Sequence, residues 1–109
     1  MRRVAIDTNV ALDYQLDRPL SAQTEKLFQA HANGTVAIYV PLPVFLECEW
    51  VLRTVYSKPK AEVLYGLSFL YTLAAHTDVP LELIAWAMAQ YRDSKGVNFI
   101  DCVISTLTF

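Results

Sequence analysis

Two short runs of β-branched and apolar residues constrain this chain more than anything else in it: Val4-Ala5-Ile6 and Thr35-Val36-Ala37-Ile38-Tyr39-Val40. A stretch of helical pattern separates them, so they should pair in parallel and not as a hairpin. The first run leads straight into a carboxylate, a hydroxyl and an amide, Asp7-Thr8-Asn9. An apolar run this short, bounded by polar capping residues, reads as a buried strand. Thr8 and Asn9 are good helix N-caps, and Val10-Ala11-Leu12 can open a helix behind them. Asp7 then stands at the carboxyl end of a central strand, where open α/β sheets place their ligand crevices. A metal or a phosphate is the natural guest there; the plainer role for Asp7 is a helix cap.

The length, 109 residues, suits one domain. Hydrophobic residues make up 54% and glycines number 3, a composition for a packed core and not for a disordered tail. The formal net charge is -2, from 9 basic and 11 acidic side chains. Without a basic surplus, any nucleic-acid contact has to come from a local patch or through metal ions. Cys48 and Cys102 lie far apart and lack metal-ligand spacing, which reads as two buried free thiols in a reducing compartment. Arg2 and Arg3 precede an apolar run that stops at Asp7, too short for a signal peptide or a membrane span, so a cytoplasmic protein is expected.

The pattern predicts a short helix over 8–16, a break at Arg18-Pro19 and a second helix over 21–32 ended by Asn33-Gly34. After the second strand, Pro41 and Pro43 permit a helix start. That helix, over 43–56, carries Val44, Cys48, Val51, Leu52 and Val55 as its apolar stripe. A long helix follows over 60–75, with Val63, Leu67, Leu70 and Ala74 facing the core. Residues 76–79 suggest a short edge strand, 81–92 a helix entered through Pro80, and 98–107 a last helix. The order β-α-α-β-α-α-(β)-α-α predicts an α/β fold with more helix than strand.

Three acids stand out on this frame. Asp7 ends the first strand, Glu47 borders an apolar stripe at i, i+3, i+7 spacing with Val44 and Val51, and Asp101 lies in the first turns of the last helix. Asn98 is three residues before Asp101 and shares its face. Acids gathered without matching bases suit a hard divalent cation such as Mg²⁺ or Mn²⁺. In order along the chain, three blocks now resemble a family. Val4-Ala5-Ile6-Asp7-Thr8-Asn9 resembles the opening strand and first acid of PIN-domain ribonucleases. The run from Val40 to Arg53 resembles their second block, and Ala85 to Tyr91 with Asn98-Phe99-Ile100-Asp101 their third. The resemblance is closest to VapC toxins of toxin–antitoxin pairs and covers essentially the whole chain.

The resemblance implies a PIN-like fold, a short, mostly parallel central sheet flanked by helices. It makes Asp7, Glu47 and Asp101 the metal-binding and catalytic acids, with Thr8, Asn9 and Asn98 in support. It also implies Mg²⁺- or Mn²⁺-dependent hydrolysis of RNA phosphodiesters by a metal-activated water. The partners it implies are RNA and a cognate antitoxin. Two departures qualify it. Asn98 falls where the family commonly has another Asp, and the chain stops at Thr108-Phe109, before the further strand and Thr-x-Asp segment that carry a fourth acid. The domain is therefore expected to lack the usual C-terminal strands, whether as a natural short variant, a proteolysed product or a deliberately shortened one. Such a sheet would leave one edge exposed, to be covered by a partner, most simply a second copy in a homodimer or higher oligomer.

Plainer readings stand beside these. Glu47 suits a solvated helix face, Asp101 a cap or an ion pair with Arg92 or Lys95, and Asn98 an N-cap. Glu49, Asp93, Asp13 and Asp17 read as surface residues, and His31 and His76 as isolated. Trp50 and Trp86 fit core or interface. Tyr65, Phe69 and Tyr71 make the 60–75 helix aromatic, suiting core or a dimer surface. Arg53, Lys58 and Lys60 read as a solvated face, with RNA phosphate contact the alternative. A different functional class also fits: a PIN-like module that binds a partner or itself but no longer cleaves. A receiver-like α/β domain is the weaker third reading, lacking further acid- and Lys-ending strands.

Overall fold

The computed structural model describes residues 2–107. Residues 108 and 109, on which the expectation of a shortened C-terminus bears, lie outside the described residues. The element order is β1 (Arg2–Ala5), α1 (Thr8–Gln15), α2 (Ala22–Ala32), β2 (Val36–Tyr39), α3 (Leu42–Thr54), α4 (Lys60–Leu73), α5 (Leu81–Asp93) and α6 (Phe99–Leu107). This is the α/β architecture expected, a short parallel sheet flanked by helices. β1 and β2 pair in parallel, from Arg2 opposite Val36 to Ala5 opposite Tyr39, and Ile6 extends the ladder by donating to the Tyr39 carbonyl at 3.2 Å.

The sheet departs from expectation on both sides of β2. β2 and not β1 is the strand with neighbours on both sides. Instead of an edge strand over 76–79, His76 forms a single parallel bridge to Tyr39, with Val40 donating to the His76 carbonyl at 2.9 Å. The pairing ends there because the next residues do other work. α3 opens on Pro41, which has no side chain to cap it, and the Leu42 N–H is satisfied by the Asp78 carboxylate at 2.7 Å. Pro80 then enters α5. The charge-assisted contact from Asp78 also places a negative group at the N-terminus of α3, where the helix dipole favours it.

The helices end where the punctuation places them. Ser21 caps α2 by accepting from the Thr24 N–H at 3.1 Å, and Gly34 turns the chain at φ 75. α3 packs on α1, α4 and α6, α4 on α5, α5 on α6, and α2 on β2. The centre is filled by Phe45, Phe99, Ile38, Leu67, Leu70 and Ile84. Gly66 permits the close approach of α4: a Cβ there would lie 2.9 Å from Leu52 Cδ1 and 3.0 Å from Gln15 Oε1. Both cysteines are buried free thiols, as expected.

Three side-chain assignments need correcting. Glu49 is not a surface residue but the one buried charged side chain among the described residues, 2% exposed. The core face of α3 keeps Val44, Cys48 and Leu52 of the expected stripe, with Val51 partly buried, but widens to take in Phe45 and Glu49 and leaves Val55 exposed. Trp50 and Trp86 are not core, at 55% and 61% exposed. The aromatic residues of α4 divide, Phe69 and Tyr71 packing against the core and Tyr65 standing in solvent. Among the described residues no helix is long and apolar enough to cross a membrane.

Candidate active site

The end of β1 delivers Asp7 to the start of α1, where it is the N-cap after all, in place of Thr8 or Asn9. Its Oδ1 accepts from the Val10 N–H at 2.9 Å. Thr8 is thereby freed for a tertiary contact: its hydroxyl donates to Glu47 Oε2 at 3.2 Å, joining α1 to α3. Asp7, Thr8, Asn9 and Glu47 line one open cleft of about 380 Å³ between these helices. Val44 and Val51 flank Glu47 on its wall, as the spacing along α3 predicts.

Each carboxylate commits one oxygen to position. Asp7 Oδ2 and Glu47 Oε1 accept no hydrogen bond among the described residues. Neither acid has an ion-pair partner there. The charge of Glu47 is felt by its neighbour in the chain: burial, and secondarily the Glu47 carboxylate, push the Cys48 thiol up to about 12. That thiol is a packing group and not a nucleophile at neutral pH.

Asp101 and Asn98 belong to another element and do not line this cleft. Asp101 is exposed in the first turn of α6. The ion pairs expected as its plainer role are not made: Arg92 is held by Asp93 at 2.9 and 3.2 Å, and Lys95 has no ion-pair partner among the described residues. Asn98 supports α6 through its carbonyl, which accepts from the N–H groups of Asp101 and Cys102. Its amide caps nothing among the described residues. No group of three His, Cys, Asp or Glu side chains in the described residues is assembled to hold a metal ion. What the fold assembles is a pair of acids, with a hydroxyl and an amide beside them. That all-oxygen set fits a hard cation. Mg²⁺ is commonly held by one or two carboxylates, with water and substrate phosphate completing its octahedron.

Two cleft residues escaped sequence reasoning. Arg18 reads as punctuation before Pro19, yet it lines the cleft. Asp17 adopts φ 56, and the reversed chain lets the Arg18 N–H bond the Asp13 carbonyl at 2.8 Å. The Arg18 guanidinium pairs with Asp13 at 3.0 Å and lies 5.3 Å from the centre of the Tyr56 ring. Tyr56 follows α3 and lines the same cleft. Asp-Arg-Pro after a short helix signals a tight turn, but nothing local indicates which wall the arginine meets.

Comparison with known proteins adds the family. Residues 4–108 match the PIN domain family model. PIN domains are generally nucleases that act on RNA or DNA with divalent metal ions. No curated protein and no solved structure gives a significant match. A match that takes in all of the described chain except Arg2 and Arg3, on an α/β frame with the first acid at the end of β1, leaves one assignment: the chain belongs to the PIN domain family.

Proposed function

We propose that this protein is a metal-dependent endoribonuclease of the VapC toxin type. The observation that carries this reading is the meeting of Asp7 and Glu47 in one cleft, each oriented by one oxygen and each with a second oxygen to spare. When bound, a divalent ion supplies Lewis-acid charge for the phosphate and lowers the pKa of a water. Asp7 and Glu47 hold that ion, and Thr8 and Asn9 keep the two acids in register. Asp101 would be the third acid of this reading, at the start of α6, with Asn98 three residues before it. An antitoxin and a second copy of the chain are the proposed protein partners. The exposed apolar side chains of Trp86, Ile100 and Leu107 support contacts of that kind.

The test is cleavage of a mixed-sequence RNA in Mn²⁺ by wild type, Asp7→Asn and Asp101→Asn. Asparagine caps a helix about as well as aspartate, so Asp7→Asn should fold normally. Loss of a ligand should lower the rate at least about 100-fold. A second reading, a PIN module that binds without cleaving, is favoured by Asp101 standing outside the cleft and Asn98 being neutral. Folded wild type that cleaves nothing in Mn²⁺ or Mg²⁺ would establish that reading against the first.

A further inference from the structure

The cleft holds a basic and an aromatic group that the metal chemistry leaves unused. Arg18 is its one basic lining residue among the described residues, and Tyr56 its one aromatic. The guanidinium spends a single Nη1–H on Asp13; none of its other donors makes a hydrogen bond in the described residues. Tyr56, 39% exposed, has Arg18 beside its ring, and the exposed Val55 adjoins it in the chain. Asp7 and Glu47 are in the same cavity.

We infer that Arg18 and Tyr56 form a positioning platform for one single-stranded polynucleotide, with a base against the Tyr56–Val55 surface and a neighbouring phosphate on Arg18. Charge favours this occupant. A chain of net charge -2 offers no general attraction for a polyanion, so phosphate contact beyond the two acids has to come from a local side-chain cation, and Arg18 is the one in the cleft among the described residues. Arginine suits phosphate because its planar fork presents several donors at once. An exposed ring selects a single strand, since a base inside a duplex has no free face to stack. Pairing with Asp13 and stacking on Tyr56 hold the guanidinium in place before the strand arrives. The platform deepens the nuclease reading, and RNA as the strand rests on it.

The experiment measures binding of a labelled 12-nucleotide RNA by fluorescence anisotropy, with Ca²⁺ replacing Mn²⁺, and compares DNA of the same sequence and the RNA duplex. Wild type should prefer the RNA strand to its duplex at least fivefold. Tyr56→Ala should weaken binding about tenfold, the effect of one stacked base, while Tyr56→Phe stays within twofold. Arg18→Gln should weaken binding about fivefold and reduce the salt dependence by about 0.7, one phosphate on a single strand. Asp13→Asn loses the ion pair that positions Arg18 yet keeps the guanidinium, and should weaken binding less than Arg18→Gln. In Mn²⁺, the two disruptive variants should raise KM and leave kcat. Wild-type binding by folded Tyr56→Ala and Arg18→Gln overturns the platform, even where Asp7-dependent cleavage shows the nuclease reading sound. Binding that needs Arg18 and Tyr56 without any cleavage upholds the platform and overturns the nuclease. Equal duplex binding, or tighter binding of DNA, overturns the assigned strand. No binding by wild type overturns the platform and leaves Arg18 and Tyr56 to a protein contact.

Discussion

Glu47 and Glu49 stand two residues apart on α3 and meet opposite environments. Two residues rotate about 200° around a helix, so the pair faces opposite sides. Glu47 faces the cleft beside α1, exposed, with a single hydroxyl donor from Thr8. Glu49 faces inward, accepts from Tyr91 of α5 at 3.2 Å and pairs with Arg53 at 2.6 Å. A buried carboxylate needs charge and hydrogen-bond partners, and both of these donors converge on its Oε2. The hydrogen bond to Glu49 raises Arg53 above its ordinary range. Burial first and then the charge of Glu49 push the Tyr91 phenol up to about 12. Lys60 adds a cation 4.9 Å from the Tyr91 ring. One glutamate is buried and ion-paired between helices, while the other stands exposed in the cleft with no ion-pair partner among the described residues.

The sharpest way to break that contrast is to remove each carboxylate and measure urea unfolding. Glu49→Ala should cost about 3 kcal/mol, the low end for breaking a buried ion pair, because Arg53 at 34% side-chain exposure can be rehydrated. Glu47→Gln should change stability by less than about 0.5 kcal/mol, as surface substitutions do, while losing metal-dependent cleavage. Equal costs for the two would erase the distinction.

Cys48 lies between the two glutamates and gives a pH test. Its thiol ordinarily titrates near 9.0 and is pushed to about 12 in the folded chain. The folded state therefore holds its proton more tightly than the unfolded one. Its stabilising contribution is complete below pH 9 and is lost progressively as pH rises toward 12. Tyr91, raised from 10.0 to about 12, acts in the same direction. The melting temperature should fall above pH 9, and the native thiol should resist a disulfide reagent at pH 8 that reacts fully in urea. Rapid native reaction would show that the inward side of α3 is open. The smaller expectation on the Glu49 side is Tyr91→Phe, about 1 kcal/mol for one hydrogen bond, with cleavage unchanged.

Most of the frame was legible because its signals are local. Proline and glycine placed the element ends, and periodicity placed the helices. Glu49 was misread because Glu49 and Arg53 at i, i+4 look like an exposed helix pair. A counter-signal existed, since Phe45, Glu49 and Leu52 share i, i+4, i+7 spacing. Val55, at the end of the expected stripe, was left exposed instead, and the contacts of α3 with α1, α4 and α6 decided which flank of the stripe was covered. The edge strand at 76–79 failed for a similar reason, as the Asp78 carboxylate was taken by the distant Leu42 N–H. In the cleft, Asp7 and Glu47 could be nominated from sequence, but Arg18 and Tyr56 could not.

Residue order alone was enough to specify parallel strands joined by helices and an acid at the end of the first strand. Those features follow from backbone preference and side-chain period, which act over a few neighbours. Which glutamate would be buried, which arginine would enter the cleft and that Asp101 would not line it were decided only by packing. Helix rotation and inter-helix contact depend on every partner at once, and no short stretch of the chain carries that information.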